Sequence, residues 1–523
     1  MKKISFALFI VFSFFSFAVI AQVPEPVMLS LKGYGGNGAS QVVPNVTKTQ
    51  DGGFIVCISS NSTTGTGNID SLCSMNGSRM IYLKYNADGS ILEWSKCFRD
   101  GPYIFPQNDG TFIQGGTTTA VPAGWAFKIL KVDSLGTILW RKTYGGQVAG
   151  ARLFDMISTD DGGYIMMGET NYADTDFTIH YGSWMDDDIA VIKLDSNGNK
   201  VWSKVIGGSA EDAALSIVKA PGDGCYILGT TLSTDYDCIG NHGGDDIYLA
   251  RLDKDGNFIW HHLIGGSGGE NGSCAFADRK GGIIIAGASN SLDGDRTVFP
   301  SYGCPIWALQ VDSNNHILWN NCYGGGGLNC YANAICKGID GSIWIAGVST
   351  LKGGQVDTGY GTDDAFFLHT DSGGNVINAK VLGSSQVDRG MMVYPLSNGN
   401  IIAGGFYEAA GGTFPNIYYG IPGSSSDAFL TIFEPWSTGI KHVISENDLI
   451  EIYPNPTDKQ VTIEFLQKNN YTIIITDVLG QIVYQASFIG KTNIVVNEWR
   501  RGLYYVQVIS DNGFKTLKKL LVE

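Results

Sequence analysis

The sequence predicts an all-β chain in which a seven-bladed β-propeller precedes a small C-terminal β-sandwich. Two turn patterns recur along most of the 523 residues, and short strands rich in β-branched residues border each turn. The 70 glycines lack the every-third spacing of collagen, and 44% of the residues are apolar. This composition is typical of a turn-rich globular protein.

The first turn pattern is clearest in residues 186–208, DDDIAVIKLDSNGNKVWSKVIGG, where a tight Asn-Gly turn joins two short strands. Equivalent turns occur at residues 86–89, 133–136, 195–198, 253–256, 312–315 and 371–374. A tryptophan follows five of them in register, at Trp94, Trp140, Trp202, Trp260 and Trp319, and Asn378 takes the sixth place. A large aromatic at one place in every repeat predicts core packing between blades.

The second turn pattern is an Asp-Gly or related turn, found seven times, at residues 51–53, 109–110, 161–163, 223–224, 281–282, 340–341 and 398–399. Together the two patterns define units of roughly sixty residues, each with four strands that we name A to D. One such sheet cannot bury both faces alone, so the repeats predict a ring of stacked sheets.

The ring is expected to be closed by the N-terminal strand. Strands A, B and C occur seven times, whereas strand D follows only six of them. Residues 27–36, VMLSLKGYGG, match the ending of a D strand and would complete the last blade. Six- and eight-bladed rings stay open as alternatives because the second unit is short and irregular.

The chain divides into four segments. Residues 1–21 have two lysines and an apolar run, which predicts a secretory signal peptide cleaved after Ala21; a retained membrane anchor is the alternative. Residues 22–436 form the propeller, residues 437–450 a polar linker, and residues 451–523 a separate β-sandwich without the sixty-residue period. No transmembrane helix is expected in the mature chain.

The charge limits the kinds of partner, and the cysteine content limits the kinds of cross-link and metal site. The formal charge is −15, and it is concentrated ahead of residue 451, because residues 451–523 carry eight basic and seven acidic side chains. This acidity argues against nucleic acid as a partner. The ten cysteines of an exported chain permit disulfides. In the closest group, Cys322, Cys330 and Cys336, we expect a disulfide or buried thiols and not a zinc site.

Four ordered motifs near the C-terminus carry a family resemblance. They are Tyr453-Pro454-Asn455-Pro456, a segment ending in Gly480-Gln481, Gly502-Leu503-Tyr504, and a basic last strand. They resemble the type A C-terminal sorting domain of the type IX secretion system of Bacteroidota. The resemblance implies passage through the periplasm, recognition by the type IX machinery, and release or attachment to surface lipopolysaccharide. The repeats are similar to propeller-like cargo proteins that precede such domains.

The long B–C loops are expected to share one rim with the Gly-rich D–A corners, and this is the rim on which we expect function. These loops are acidic, which suggests weak calcium binding, although solvated turn aspartates are the commoner reason for such acidity. The calcium candidates are Asp174, Asp176, Asp186, Asp235, Asp237, Asp245, Asp293, Asp295, Asp357 and Asp363. The candidates for contact with another ligand are His180, Trp184, Tyr236, His242 and Tyr360.

No catalytic constellation stands out in the sequence, which contains neither a zinc helix nor a P-loop. The segment LDSNGNKVW resembles the tryptophan repeat of quinone-dependent dehydrogenase propellers, but its repeat length and turn differ, so we interpret the likeness as shared geometry. The sequence favours a secreted or cell-surface module that binds a glycan or protein. A secreted hydrolase or quinone-dependent oxidoreductase, and a purely structural surface protein, are the alternatives.

Overall fold

The computed structural model describes residues 26–62, 67–73, 78–99, 101–120, 124–146, 150–278, 281–298, 306–324, 330–350, 359–414, 425–434, 450–453, 455, 457, 459–465, 470–477, 481–497, 499–510 and 515–522. Most of them belong to antiparallel strands. Two 3₁₀ turns, Asn68–Ser71 and Tyr236–Cys238, interrupt the loops. The predicted signal peptide and its cleavage site at Ala21 lie outside the described residues.

Seven four-stranded antiparallel sheets lie within the described part of residues 27–434. Sheet 1 comprises β2 (Ser40–Lys48), β3 (Phe54–Ser60), β4 (Arg79–Tyr85) and β5 (Leu92–Phe98). Sheet 2 comprises β6 (Tyr103–Pro106), β7 (Phe112–Ala120), β8 (Gly124–Val132) and β9 (Ile138–Tyr144). Sheet 3 comprises β10 (Ala151–Ser158), β11 (Tyr164–Thr170), β12 (Asp188–Leu194) and β13 (Lys200–Ile206).

The remaining sheets repeat this order. Sheet 4 comprises β14 (Asp212–Lys219), β15 (Cys225–Thr231), β16 (Asp246–Leu252) and β17 (Phe258–Ile264). Sheet 5 comprises β18 (Glu270–Ala277), β19 (Ile283–Ser289), β20 (Ile306–Val311) and β21 (Ile317–Tyr323). Sheet 6 comprises β22 (Tyr331–Lys337), β23 (Ile343–Ser349), β24 (Asp364–Thr370) and β25 (Val376–Leu382). Sheet 7 comprises β26 (Asp388–Pro395), β27 (Ile401–Tyr407), β28 (Asp427–Glu434) and β1 (Val27–Tyr34).

The two ends of this region meet in sheet 7. Strand β1 pairs antiparallel with β28 from Val27 opposite Glu434 to Tyr34 opposite Ala428. The N-terminal strand therefore supplies the fourth strand of the last sheet, as the repeat pattern predicted, and it covers an edge that would otherwise be unpaired.

A hydrophobic cluster lies between each sheet and the next, and one of these clusters joins sheet 7 to sheet 1. The cluster between sheets 7 and 1, for example, contains Met392 and Leu430 from one sheet and Val56 and Leu83 from the other. Strand A of each sheet also contacts strand A of its neighbours around the ring. The propeller is therefore closed by apolar packing at every interface between sheets.

The recurrent tryptophans pack between sheets, as expected. Trp202 of sheet 3 lies over the C–D turn of sheet 4, and its indole Nε1 donates a hydrogen bond to the Lys254 carbonyl, 3.0 Å away. A β-carbon on Gly256 in that turn would lie 2.9 Å from the indole. Trp140 meets Gly198 of the next sheet in the same way, also at 2.9 Å. Glycine is required at these positions because the φ angle is positive and the ring fills the adjacent space.

The C-terminal region contains two further sheets around one core. Strands β29 (Ile450–Tyr453), β30 (Gln460–Phe465) and β33 (Lys491–Val495) form the smaller sheet. The larger one contains β31 (Asn470–Thr476), β32 (Ile482–Ile489), β34 (Gly502–Ser510) and β35 (Lys515–Val522). Val461 and Ile494 of the smaller sheet pack with Ile473 and Val506 of the larger one, as in a small β-sandwich.

The cysteines do not form a metal site among the described residues. Cys73 and Cys97 form a disulfide that ties the B–C loop of sheet 1 to β5. Cys322 is disulfide-bonded, whereas Cys330 and Cys336 are buried thiols. This outcome matches the expectation of a disulfide or buried thiols in that group.

The packing of Trp202 can be tested with two alanine substitutions in sheet 4. Gly256 and Gly222 both have φ +81°, but a β-carbon at Gly222 would meet nothing within 4 Å. We expect Gly222→Ala to lower the free energy of unfolding by about 1 kcal/mol through backbone strain alone. Gly256→Ala should cost roughly 1–3 kcal/mol more because the methyl group displaces the indole. Urea unfolding measures both, and equal losses would contradict the proposed contact.

Candidate functional site

The B–C loops lie against the D–A corners, so these two sets of segments share one rim, which we call the loop rim. The Gly35 N–H in the corner after sheet 7 donates to Asn68 Oδ1 in the B–C loop of sheet 1 at 2.9 Å. Farther around the ring, the Gly383 N–H donates to Thr413 Oγ1 at 2.8 Å. In both cases the loop is bonded to the corner that precedes its own sheet. The A–B and C–D turns form the other rim, the hairpin rim.

Several of the predicted calcium ligands make the same type of contact. Asp176 Oδ2 accepts the Gly145 N–H at 3.0 Å, and Asp295 Oδ2 accepts the Gly265 N–H at 3.1 Å. Asp235 accepts the Ser209 N–H at 2.8 Å and Asp293 the Ser267 N–H at 2.7 Å. These carboxylates satisfy backbone donors that would otherwise lack partners at the turns.

The other predicted calcium ligands are placed differently. Asp174 accepts two N–H groups of its own loop, and Asp186 accepts hydrogen bonds from Ser183. Asp363 lies 3.5 Å from the Arg389 guanidinium. Burial raises the pKa of Asp237 and of Asp245, the latter helped by the nearby Glu270 carboxylate. Asp357 lies outside the described residues.

These aspartates are not gathered into one site. Within the described ranges, no group of three or more histidine, cysteine, aspartate or glutamate side chains could hold a metal ion. Calcium binding therefore stays a prediction.

A second set of carboxylates lies at the ends of strands and is not among the calcium candidates. Asp188, Asp246, Asp364 and Asp427 begin the C strands of their sheets, and all four are buried. The recurrence of aspartate before an apolar strand, as in DIAVIKL and DIYLARL, is the signal that could have identified them.

These strand-end carboxylates occupy the space where corner glycines lack a side chain. A β-carbon on Gly207 would lie 2.1 Å from Asp188 Oδ1 and 2.7 Å from Asp212 Oδ2. At Gly265 the corresponding neighbours are Asp246 Oδ1 at 2.3 Å and Glu270 Oε2 at 2.6 Å. Two acidic side chains thus converge on one glycine in each of these corners.

Burial, helped by neighbouring carboxylates, raises the pKa of these carboxyl groups. Burial raises the pKa of Asp188 to about 8, and the nearby carboxylates of Asp212, Asp187 and Asp237 raise it further. The Tyr181 N–H donates a hydrogen bond to Asp188 Oδ2 at 2.6 Å and acts in the opposite direction. Burial likewise raises the pKa of Asp388 to about 7. The neutral form of these acids is the one that suits a site with little water.

Three acids and an arginine gather where sheets 3 and 4 meet the loop rim. The Asp187 N–H donates to Glu211 Oε2 at 3.0 Å, and Arg152 Nη2 lies 3.8 Å from Asp187 Oδ2. Glu169 is 6% exposed, and its Oε1 accepts the Ala214 N–H at 3.1 Å. Burial, followed by repulsion from Asp187, raises the pKa of Glu169 to about 7. A carboxyl group that titrates near neutrality here could exchange a proton with a ligand.

Exposed aromatic and apolar side chains lie in the B–C loops of the same two sheets. Trp184 is 71% exposed, Met185 72%, Tyr236 61% and Ile239 74%. Tyr181 and Tyr236 lie with their ring centroids 4.7 Å apart, so they join the two loops. We call Tyr181, Trp184, Met185, Tyr236 and Ile239 the aromatic cluster.

The remaining ligand candidates are distributed around the rim. His180 is mostly buried, and its Nε2 lies 3.0 Å from the Asp186 carbonyl oxygen. His242 is exposed, with Nδ1 2.7 Å from Asp246 Oδ2. Tyr360 is 41% exposed but precedes strand C of sheet 6, apart in the ring from sheets 3 and 4. The structure thus brings Trp184 and Tyr236 onto neighbouring loops and leaves Tyr360 elsewhere.

The predicted sorting motifs hold the C-terminal region together. The Leu521 N–H donates to Asn455 Oδ1 at 2.9 Å, and the Tyr453 hydroxyl donates to Glu464 Oε2 at 2.5 Å. The Tyr504 hydroxyl donates to the Arg500 carbonyl at 2.7 Å, and Gly502 begins β34. Pro454, Pro456 and Gly480 lie outside the described residues.

Comparison with known proteins identifies this last region. Residues 451–523 match the family of the secretion system C-terminal sorting domain. The chain carries a type IX sorting domain. A curated relative, an endo-acting ulvan lyase from Formosa agariphila, is 33% identical over 76 residues. That match covers 14% of this chain and 15% of the length of the lyase.

Solved structures resemble the chain only distantly. The WD40 domain of Neurospora crassa Pan2 gives a TM-score of 0.40 at 11% identity, covering 80% of this chain and 98% of that one. YCF48 bound to a D1 peptide gives 0.39 at 9% identity, covering 79% and 97%. At these values the resemblances carry no information on function.

The sorting domain supports export by the type IX system to the cell surface or beyond. In the described part of the chain, no helix is long and apolar enough to cross a membrane.

The raised pKa of Asp188 predicts a pH dependence of stability. The folded chain holds the proton up to about pH 8, whereas an unfolded aspartate releases it near its ordinary pKa of 3.8, so stability falls as the pH rises between these values. We expect Asp188→Asn to remove this loss. Relative to the wild type, its free energy of unfolding should rise by on the order of 1 kcal/mol or more from pH 5 to pH 8.

Asp133→Asn is the matched control for this experiment. The Thr137 N–H lowers the pKa of Asp133, so its contribution is constant between pH 5 and pH 8. Chemical unfolding at both pH values measures the two variants. A difference between Asp188→Asn and the wild type that does not change with pH would contradict the raised pKa.

Proposed function

We propose that the chain is an exported surface or secreted propeller that binds a glycan through the aromatic cluster. The observation that carries this proposal is the exposure of Trp184 and Tyr236 on neighbouring loops of sheets 3 and 4. Exposed aromatic and apolar side chains gathered on one part of a surface are costly to solubility and commonly mark a binding site. Flat aromatic faces suit the apolar faces of sugar rings.

The loops that carry the cluster are held in place before any ligand arrives. Gly182 packs so closely on Ser209 that an added β-carbon would lie 2.8 Å from the Ser209 carbonyl oxygen. Asp235 fixes the other loop through the Ser209 N–H. Both loops therefore rest on the same corner, and little conformational entropy remains to be lost on binding.

The charges around the cluster favour an uncharged ligand rich in hydroxyl groups. Asp186, Asp187 and Glu211 lie on the adjoining part of the rim, where carboxylate oxygens can accept hydrogen bonds from sugar hydroxyls. The same carboxylates repel anionic polysaccharides. A neutral glycan is therefore favoured over a sulfated or uronate-rich one.

The sorting domain gives the setting for this activity. We propose that the signal peptide directs the chain to the periplasm and that residues 451–523 then engage the type IX machinery. Attachment to lipopolysaccharide would present the loop rim to glycans outside the cell, whereas release would give a soluble binding protein. Fractionation of the native host with antibodies against the propeller distinguishes the two.

A glycan array tests the proposed binding function. We expect the purified chain to bind neutral glycans, and Trp184→Ala and Tyr236→Ala each to weaken binding by 10-fold or more, equivalent to roughly 1.4 kcal/mol. Trp125→Ala is the control, because Trp125 is 53% exposed but belongs to sheet 2. Absence of glycan binding, or equal losses in all three variants, would contradict the proposal.

Glycan cleavage is a second candidate function, supported by the group of acids beside the cluster. Glu169, with a pKa of about 7, could act as a general acid while Asp187 or Glu211 acts as the second carboxylate. This alternative predicts reducing-sugar release from a bound glycan, lowered 100-fold or more by Glu169→Gln. In Glu169→Gln, the pH dependence of the rate should also lose its step near pH 7. No release of reducing sugar from bound glycans, or full activity in Glu169→Gln, would leave binding as the function.

A further inference from the structure

Trp94 is placed differently from three other tryptophans of the repeat. Trp140, Trp202 and Trp319 each lie close to a glycine in the C–D turn of the next sheet, with 2.9 Å from a β-carbon position to the ring. The equivalent glycine for Trp94 is Gly136, but within 4 Å its β-carbon position meets only the Phe98 ring. Trp94 therefore does not close the interface between sheets 1 and 2 in the usual way.

The second sheet is irregular, although its first strand is shortened at the loop-rim end and not beside Trp94. Its first strand, β6, has four residues, whereas the other A strands have seven to nine. Trp94 packs instead with the Phe112 ring in an edge-on arrangement, with centroids 5.8 Å apart. Lys96 lies 5.8 Å from the centroid of the Trp94 ring.

A cavity of about 270 Å³ opens beside Trp94 on the hairpin rim. Trp94 and Phe112 supply its aromatic wall, and the A–B turns of sheets 1 and 2 supply Gln50, Gln107 and Asn108. Gln50 and Asn108 are exposed, so their amides are accessible from solvent. Gln107 donates from Nε2 to the Phe105 carbonyl and the Tyr164 hydroxyl, which orients its side chain.

The charged groups of the cavity are already paired. Lys84 Nζ lies 3.0 Å from Asp51 Oδ2 and 2.9 Å from Glu93 Oε2, and it also donates to the Tyr85 carbonyl. Asp51 accepts further hydrogen bonds from Thr49 and the Gly53 N–H. An ionic ligand would have to compete with these contacts, so the cavity suits an uncharged one.

We propose that this cavity is a binding subsite for one pyranose ring of a neutral glycan, separate from the aromatic cluster. The volume of about 270 Å³ lies just below the range for drug-sized ligands, about 300–1,000 Å³, and suits a single sugar ring. Amide side chains both donate and accept hydrogen bonds, as sugar hydroxyls do, and the indole offers a surface for the apolar face of the ring. The chain would then contact glycans on both rims.

Ligand-observed NMR with methyl pyranosides tests this inference on the purified full chain. Methyl glucoside, galactoside, mannoside and xyloside are the probes, and fluorotryptophan labelling reports on the indole itself. We expect saturable binding of at least one probe with a shift of the Trp94 resonance. Trp94→Ala and the double variant Gln50→Ala/Asn108→Ala should each weaken binding at least 5-fold, whereas Trp94→Phe should retain most of it.

Two controls distinguish binding in this cavity from binding at the aromatic cluster and from a general effect of removing a tryptophan. Trp140→Phe makes an aromatic change at the equivalent place in sheet 2 and should leave pyranoside binding unchanged, as should Trp184→Ala on the loop rim. The double variant changes only exposed side chains, so it still tests binding in the cavity if Trp94→Ala fails to fold. No saturable binding, or binding that a folded Trp94→Ala variant or the double variant leaves unchanged, would overturn the proposal.

Discussion

The corners between sheets depend on hydrogen bonds from backbone amides to side-chain oxygens. A corner must reverse the chain and place it at the start of the next sheet, which leaves N–H groups without strand partners. Gly208 is bonded to Asp212 of the following strand, and Gly265 to Asp295 of the following B–C loop. Each bond links the end of one sheet to the sheet that comes next, so the ring and its loops are fixed together.

This constraint explains why the loop rim is acidic. Asp176, Asp235 and Asp293 each hold a corner amide, and Asp188 fills the space beside Gly207. Many of the carboxylates that suggest calcium loops in the sequence therefore have a structural task. What is left for recognition is the set of side chains exposed outside the corners, above all Trp184 and Tyr236.

The repeat made much of the fold predictable. Turn spacing located the strands and the closure of sheet 7 by β1, because both follow from local chemistry and from counting. The packing of Trp202 against Gly256 also follows from the register of the repeat. The core residues recur with the period of the repeat, so their places could be predicted without knowing which distant residues they contact.

The candidate sites were less predictable because they depend on departures from the repeat. The contact of Tyr181 with Tyr236 joins loops of different length, and no periodicity reports it. The raised pKa of Glu169 arises from its burial and from the charges of Asp187 and Glu211. The pairing of β11 with β12 brings Asp187 near it, and Glu211 comes from the corner that leads to sheet 4. The cavity at Trp94 lies beside the edge-on packing of Trp94 on Phe112, a contact that the periodicity of the repeat does not report.

Hydrogen–deuterium exchange measures directly whether side-chain oxygens hold the corner amides. If side-chain oxygens hold the corners, the N–H groups of Gly35, Gly145, Gly208, Gly265 and Gly383 should exchange as slowly as those of the adjoining strands. Exchange at the rate of exposed loops would contradict this role of the side chains, because the loops would then not fasten one sheet to the next.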